Sequence, residues 1–563
     1  MGDPNQQHNF DAIVIGSGIS GGWAAKELCE KGLKTLVLER GRDVQHIKDY
    51  PTAFLNPWDL PNRLEHTEKE KNENPIRTAY GDAASDLFFV KDSEHPYVQE
   101  KPFTWVRGYQ VGGRSLTWGR QSYRYSDLDF GANEKDGIAV DWPIRYKDLA
   151  PWYDYVENYV GISGQKEDYP WLPDGNFLPP MELNCIETHF AQKTKEKYPG
   201  RVVTPARTAN LSRGWNGRGP CQYRNLCSRG CPFGGYFSSN AATLPAAAAT
   251  GNLTLLPDSI VVEIIYDNKN NRASGVRVIN AHTNAVTEYY ARIIFVNAST
   301  IATAAILLRS VSPAFPKGLG NSSGQIGHNL MDHFTGTGAE AQYHGLDDQY
   351  YYGRKPVGLY VPRYRNTSPA TARKDYIRGF GLQGHGSRSE WRENAARLAG
   401  FGPQFKEQLL RPGPWLLWLG AWGETLPYFD NTVALDNDKK DAWGLPLVKI
   451  DFQYHDNEKA MTKDIRTEIE EMLSSAGFTN IRSYSNLAPG GTSVHEMGTV
   501  RMGRDPRTSV LNAFNQLHDV KNVFVTDGSC MTSSGTANPS LTYMALTARA
   551  CDYAVAELKK GNI

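Results

Sequence analysis

The chain has 563 residues, of which 22% are charged and 40% hydrophobic, enough for three or four domain-sized units with ample core material. Lys plus Arg and Asp plus Glu number 61 each, and that zero balance argues against a nucleic-acid binder working through bulk charge. Disordered, collagenous and strongly basic classes are excluded. The most apolar stretch, Pro414–Trp422, falls far short of the roughly 18–20 residues of a transmembrane segment. No basic and apolar leader precedes the first strand-like run, so the chain is expected to carry no export signal of its own. Seven cysteines, an odd number in a long chain, do not read as a disulfide framework.

Residues 10–39 form the clearest unit. Phe10–Ile15 is a β-branched, apolar strand, Gly16-Ser17-Gly18-Ile19-Ser20-Gly21 follows it, and Trp23–Lys31 reads as a helix with Ala24, Ala25 and Leu28 inward. Gly32 stops the helix, and Lys34–Glu39 is a second strand, completing a βαβ unit. Residues 42–100 read as a polar surface excursion. A second glycine motif, Gly108-Tyr109-Gln110-Val111-Gly112-Gly113, precedes a helical stretch from Asp141 to Tyr159. Residues 200–240 are turn-rich and hold Cys221, Cys227 and Cys231; strands follow at 253–256, 259–265, 273–279 and 293–297, then a helix at 300–309. The aromatic, polar region 335–490 reads as a sheet-rich unit with one long helix at 457–476. Beyond His495 the α/β pattern returns, with a strand at Asn522–Thr526 and a helix opened by Asn538-Pro539-Ser540.

Glycines in a tight turn are common, but here they follow a strand and open a helix, and Glu39 lies 18 residues beyond Gly21. Gly16 permits the turn, Gly18 lets a pyrophosphate approach the helix N-terminus, and Gly21 lets helix and strand pack. Glu39, followed by Arg40, would accept ribose hydroxyls. This is a dinucleotide site, with FAD and NAD both open at this point. Asp527 and Gly528, at the end of the late strand, can reach a ribityl or pyrophosphate region, and Pro539 suits a first helical turn; these favour flavin. Cys221, Cys227 and Cys231 have five and then three intervening residues, with Pro232 after the last. That pattern suits iron–sulfur ligation; zinc normally wants a fourth ligand, and a disulfide with one free thiol, or three plain loop thiols, are the other readings. Cys29 and Cys551, on helices, read as core.

In chain order, Gly16–Gly21 with Glu39, Val111–Trp118, His495–Gly503, Val525–Ser529 and Ala537–Thr542 resemble the glucose–methanol–choline (GMC) oxidoreductase family over essentially the whole chain. The resemblance implies an α/β fold with a discontinuous Rossmann-like FAD-binding domain (1–150, 200–335 and 491–563, including a cysteine loop at 215–235). A substrate domain (151–199 and 336–490) would be built on an antiparallel sheet with helices. It places His495 as the base that takes the alcohol proton and Asn538 as its partner, whose amide can donate to the substrate oxygen. Gly112, Gly113 and Ser115 would lie on the flavin-edge loop and Val261 against the adenine. Thr117 stands where some relatives carry a flavin-linked His, so FAD is expected to be non-covalent.

The cysteine spacing resembles that of the catalytic subunit of bacterial FAD-dependent sugar dehydrogenases, which implies a [3Fe-4S] cluster on Cys221, Cys227 and Cys231. It further implies a small signal-bearing partner subunit, a cytochrome acceptor, and co-export to the periplasm, with a cytoplasmic location as the alternative. Gly423-Glu424-Thr425 and Asp441–Pro446 resemble the pyranose-oxidising branch, and Arg120, Gln121 and Tyr123 could meet sugar hydroxyls. The expected reaction is dehydrogenation of a sugar or glycoside hydroxyl, glucoside 3-dehydrogenation foremost. An oxidase yielding hydrogen peroxide and a flavin electron-transfer subunit without its own substrate are the rivals.

Overall fold

The computed structural model describes residues 8–351, 353–388, 400–411 and 413–563. Its architecture is mixed α/β, with a largely parallel sheet of seven strands and an antiparallel sheet of six.

The first sheet is organised by one long strand, Val286–Val296. Along its length it pairs parallel with His8–Ile15. Its first half also pairs antiparallel with Arg272–Asn280 and its last residues pair parallel with Val523–Val525. Thr35–Leu38 and Leu253–Leu256 extend the parallel edge, and Ser259–Asp267 closes the antiparallel one. Ile293, Ile294, Phe295 and Val296 are fully buried, because helices cover both faces and consecutive side chains find core on either side. One cover is the helix Ile19–Glu30. It packs against Ser540–Lys560, which in turn packs against Tyr146–Val160. That last helix runs straight through residue 150, and Leu149, Tyr153 and Val156 enter the core of the parallel-sheet unit.

The second sheet runs Thr479–Ser485, Thr337–Tyr343, Trp415–Gly423, Phe380–Arg388, Leu359–Val361 and Thr204–Pro205. The helix Asp456–Ser475 lays Met461, Ile465, Ile469, Met472 and Leu473 on one face of it, a stripe at helical spacing. Cys185–Lys197 packs on the same unit. Phe380 and Leu382 join that core. Strand alternation turns their neighbour Gln383 to the opposite face, toward the parallel-sheet unit, where it meets Asn538. A hairpin, Thr432–Lys440 with Pro446–Asp451, brings Asp441 and Trp443 over Arg40. No helix among the described residues is long and apolar enough to cross a membrane.

Candidate active site

Two cavities share Gly18, Arg114, Asn297 and Ser299 as walls, forming one elongated space that crosses the N-terminus of the helix Ile19–Glu30. Gly16 sits at φ +93°, and a Cβ there would stand 2.4 Å from the Asn297 carbonyl; one on Gly21 would stand 1.9 Å from the Gly16 carbonyl. The turn and the close helix–strand packing therefore both require glycine. A Cβ on Gly18 would meet nothing within 4 Å, so the helix N-terminus opens onto the shared space, where a pyrophosphate is favoured.

The adenosine-sized end is walled by Glu39, Arg40, Arg107, Gly113 and Val261. Glu39 accepts from Ser17 Oγ at 2.5 Å, Ser17 N at 3.1 Å and Gly41 N at 3.0 Å; burial pushes its pKa up against those donors. Arg40 lies over the rings of Tyr109 and Trp443, 4.7 and 5.0 Å from their centroids. Gly112 lies behind this wall and donates its N–H to Ser17 Oγ at 2.9 Å. The other end is walled by Ser115, Thr117, Arg120, Gln121, His495, Asp527, Gly528, Asn538 and Pro539. Asp527 accepts from Ser529 N at 3.0 Å and Thr303 Oγ1 at 2.6 Å. Buried polar atoms without a protein partner among the described residues include Asn297 Nδ2 at the junction, Arg40 Nε and Arg107 Nε at the adenosine end, and the Tyr543 hydroxyl at the other. Spread from end to end of the space, these atoms could be satisfied by a bound flavin dinucleotide.

Around His495 the hydrogen bonds form a chain. His495 Nε2 faces Asn538 Nδ2 at 3.2 Å, and His495 Nδ1 lies 2.9 Å from His333 Nδ1. His333 Nε2 lies 3.2 and 3.0 Å from the carbonyls of Ser534 and Gly535. Gln383 Nε2 donates to Asn538 Oδ1 at 2.8 Å. Asp332 Oδ1 accepts the backbone N–H of His495 at 3.0 Å, so consecutive residues hold both the backbone and the ring of His495. Arg114 forms a two-pronged ion pair with Glu496, at 2.6 and 3.3 Å. Burial, then His333 and Arg114, hold the His495 pKa well below the usual imidazole value. Burial likewise lowers His333 to about 4 and, with Glu496, raises Asp332 to about 7. An unprotonated imidazole beside an amide donor can take a hydroxyl proton while the amide holds the oxygen.

The sequence did not single out Tyr80, Asp332, His333, Gln383 or Tyr543. Tyr80 reaches the cavity from the polar excursion. Tyr123 instead stacks on Tyr360, with centroids 4.0 Å apart, and Glu424 is sealed in an ion pair with Arg378 at 3.1 Å; neither lines the cavity.

The three loop cysteines are free thiols of intermediate exposure. Among the described residues no group of three His, Cys, Asp or Glu side chains closes on a single-ion site. Backbone N–H groups of Gly235, Phe233 and Tyr236 point to the Cys231 sulfur and that of Tyr223 to Cys221, while Asn210 Nδ2 lies 3.9 Å from Cys227 Sγ. The structure thus sets three thiols on one irregular loop, each approached by N–H donors.

The sequence matches the GMC oxidoreductase N-terminal model over residues 10–335 and the C-terminal model over 427–547. The chain belongs to the GMC oxidoreductase family. It is 31% identical to a 2-methyl-1,2-propanediol dehydrogenase of Mycolicibacterium austroafricanum, over 96% of this chain and 94% of that one. It is 26% identical to the fructose dehydrogenase large subunit of Gluconobacter japonicus, over 99% and 100%. A formate oxidase from Aspergillus oryzae shares the fold, with a TM-score of 0.62 at 15% identity, covering 99% of this chain and all of that one. As a GMC member the chain is an FAD-dependent oxidoreductase acting on alcohol groups.

Proposed function

We propose that this protein is a dehydrogenase of a sugar or glycoside hydroxyl, glucoside 3-dehydrogenation foremost, whose electrons leave through an iron–sulfur cluster held by Cys221, Cys227 and Cys231. Bound FAD supplies the hydride acceptor. His495 Nε2 takes the hydroxyl proton, Asn538 orients the oxygen, and the cavity walls exclude water. The cluster would supply one-electron transfer to a cytochrome, beside a small partner subunit that carries the export signal and takes the protein to the periplasm.

The observation that carries this reading is the closeness of the cysteine loop to the site: Arg120, in the cavity wall, donates to the Cys227 carbonyl at 3.1 Å. A groove of about 1890 Å³ leads outward from Gln121 and Gln383. Trp418 and Tyr350 beside Lys355 and Glu182 in its lining suit a ligand with both ring faces and hydroxyls. Kinship to a sugar dehydrogenase subunit supports the same substrate class. The identity to a diol dehydrogenase favours a second reading, a small aliphatic diol. Anaerobic flavin bleaching with glycosides, monosaccharides and 1,2-diols, followed by product identification and iron analysis, separates the two. Bleaching by diols alone would overturn the sugar reading; iron-free protein would overturn the cluster and promote the peroxide-forming oxidase.

A further inference from the structure

We infer that His333 is a positioning residue that fixes His495 in the tautomer with Nδ1 protonated and Nε2 bare, so that Nε2 is the ring atom free to accept the substrate's proton. The inference rests on the family's alcohol oxidation and not on the identity of the alcohol.

The argument is one of donors and acceptors. The carbonyls of Ser534 and Gly535 can only accept, so His333 Nε2, 3.2 and 3.0 Å from them, carries a hydrogen. In a neutral imidazole that leaves Nδ1 with a lone pair. His495 Nδ1, 2.9 Å away, must then be the donor. Its Nε2 is therefore bare and accepts from Asn538 Nδ2 at 3.2 Å. Asn538 is checked from its other end, since its Oδ1 already accepts from Gln383 at 2.8 Å. Every bond from Gln383 to Ser534 thus has one allowed direction, set by two backbone carbonyls. A charged His333 would turn Nδ1 into a second donor and reverse the chain; complete burial keeps that ring neutral.

When the substrate O–H bond breaks and the Nε2–H bond forms, His495 becomes an imidazolium whose Nδ1–H still has its acceptor. No co-reactant is needed. A neutral imidazole behind the base, in place of a carboxylate, leaves it a weaker base whose Nε2 stays bare.

The decisive measurement is the ¹⁵N spectrum of histidine-labelled, FAD-loaded protein, with the His495 signals identified by their loss in His495→Gln. In the wild type, His495 Nδ1 should read as protonated and Nε2 as bare; the reverse pattern overturns the inference outright, whatever any variant does. His333→Phe keeps bulk but removes the acceptor. His495 should then populate the other tautomer, and flavin reduction by an alcohol that bleaches the wild type should fall toward the roughly 10²–10⁴-fold loss of a misplaced base, with FAD content unchanged. His333→Asn, whose Oδ1 can stand in for Nδ1, should restore the wild-type tautomer and most of the rate. A His333→Phe protein with the wild-type tautomer, or a His333→Asn protein as impaired as His333→Phe, would reduce His333 to a packing role.

Discussion

Arg120 and Cys227 tie the two halves of the proposed electron route together: the guanidinium that walls the alcohol cavity donates to the backbone carbonyl of the middle thiol residue at 3.1 Å. Arg120 holds a left-handed backbone, φ +61°, a conformation uncommon for a residue with a side chain. Its placement is therefore built into the loop. Cys227→Ser should lose the iron found in anaerobically prepared wild type, retain FAD, retain flavin reduction by substrate, and slow reduction of a cytochrome. Iron and flavin contents together with stopped-flow rates check each part; iron retained in full by the variant would remove Cys227 from the ligand set.

His495→Ala should lower the rate of flavin reduction by roughly 10²–10⁴ while leaving FAD content near normal, since the ring supports the proton rather than the cofactor's phosphates. A variant reduced as fast as wild type would mean that another group is the base.

The base should also work in acid. Because burial, His333 and Arg114 hold His495 well below about 6.5, it remains unprotonated as pH falls through that value. The acid limb of flavin reduction is expected below pH 6.5, and a limb above it would contradict the burial argument. Stability carries opposed contributions, His495 acting in the same sense as His333 and Asp332 against them. His333, lowered to about 4, binds its proton in the unfolded chain first, so stability falls as pH drops from about 6.5 toward 4. Asp332, raised to about 7, binds its proton in the native state first, and its contribution is lost as pH rises through about 7. In His333→Phe the acid loss due to that ring disappears, so the urea midpoint at pH 6.5 minus that at pH 4.5 should be smaller, taken with its sign, than in wild type.

Gln383→Leu frees the Asn538 amide to rotate. One hydrogen bond is worth roughly 0.5–1.5 kcal/mol net, so flavin reduction should slow by about tenfold at most, less than in His495→Ala. A larger loss would place Gln383 in contact with the substrate itself.

With Thr117 rather than a histidine in the cavity wall, FAD should leave on acid precipitation. Flavin remaining on the pelleted chain would show a covalent bond.

The nucleotide-binding half was legible because its signals are local: Gly16, Gly18 and Gly21 act within one turn, and the strands beside them are continuous apolar runs. The motifs picked out His495 and Asn538, and the structure sets them 3.2 Å apart in the cavity wall. Asp332, His333 and Gln383 were not picked out, because their roles exist only across separations of more than 150 residues, His333 to His495 and Gln383 to Asn538. Nothing in Asn329–Phe334 marks it as catalytic support. Tyr123 follows the flavin loop in sequence, but that closeness does not say which side chain faces a cavity; its ring stacks on Tyr360 instead.

The strand Val523–Val525 takes its place beside Val286–Val296, and Asp527 to Tyr543 then floor the cavity that Gly16 and Gly18 roof. The glycine turn is made before that floor during synthesis, and a chain that stops short of Val523 has only half of the cradle.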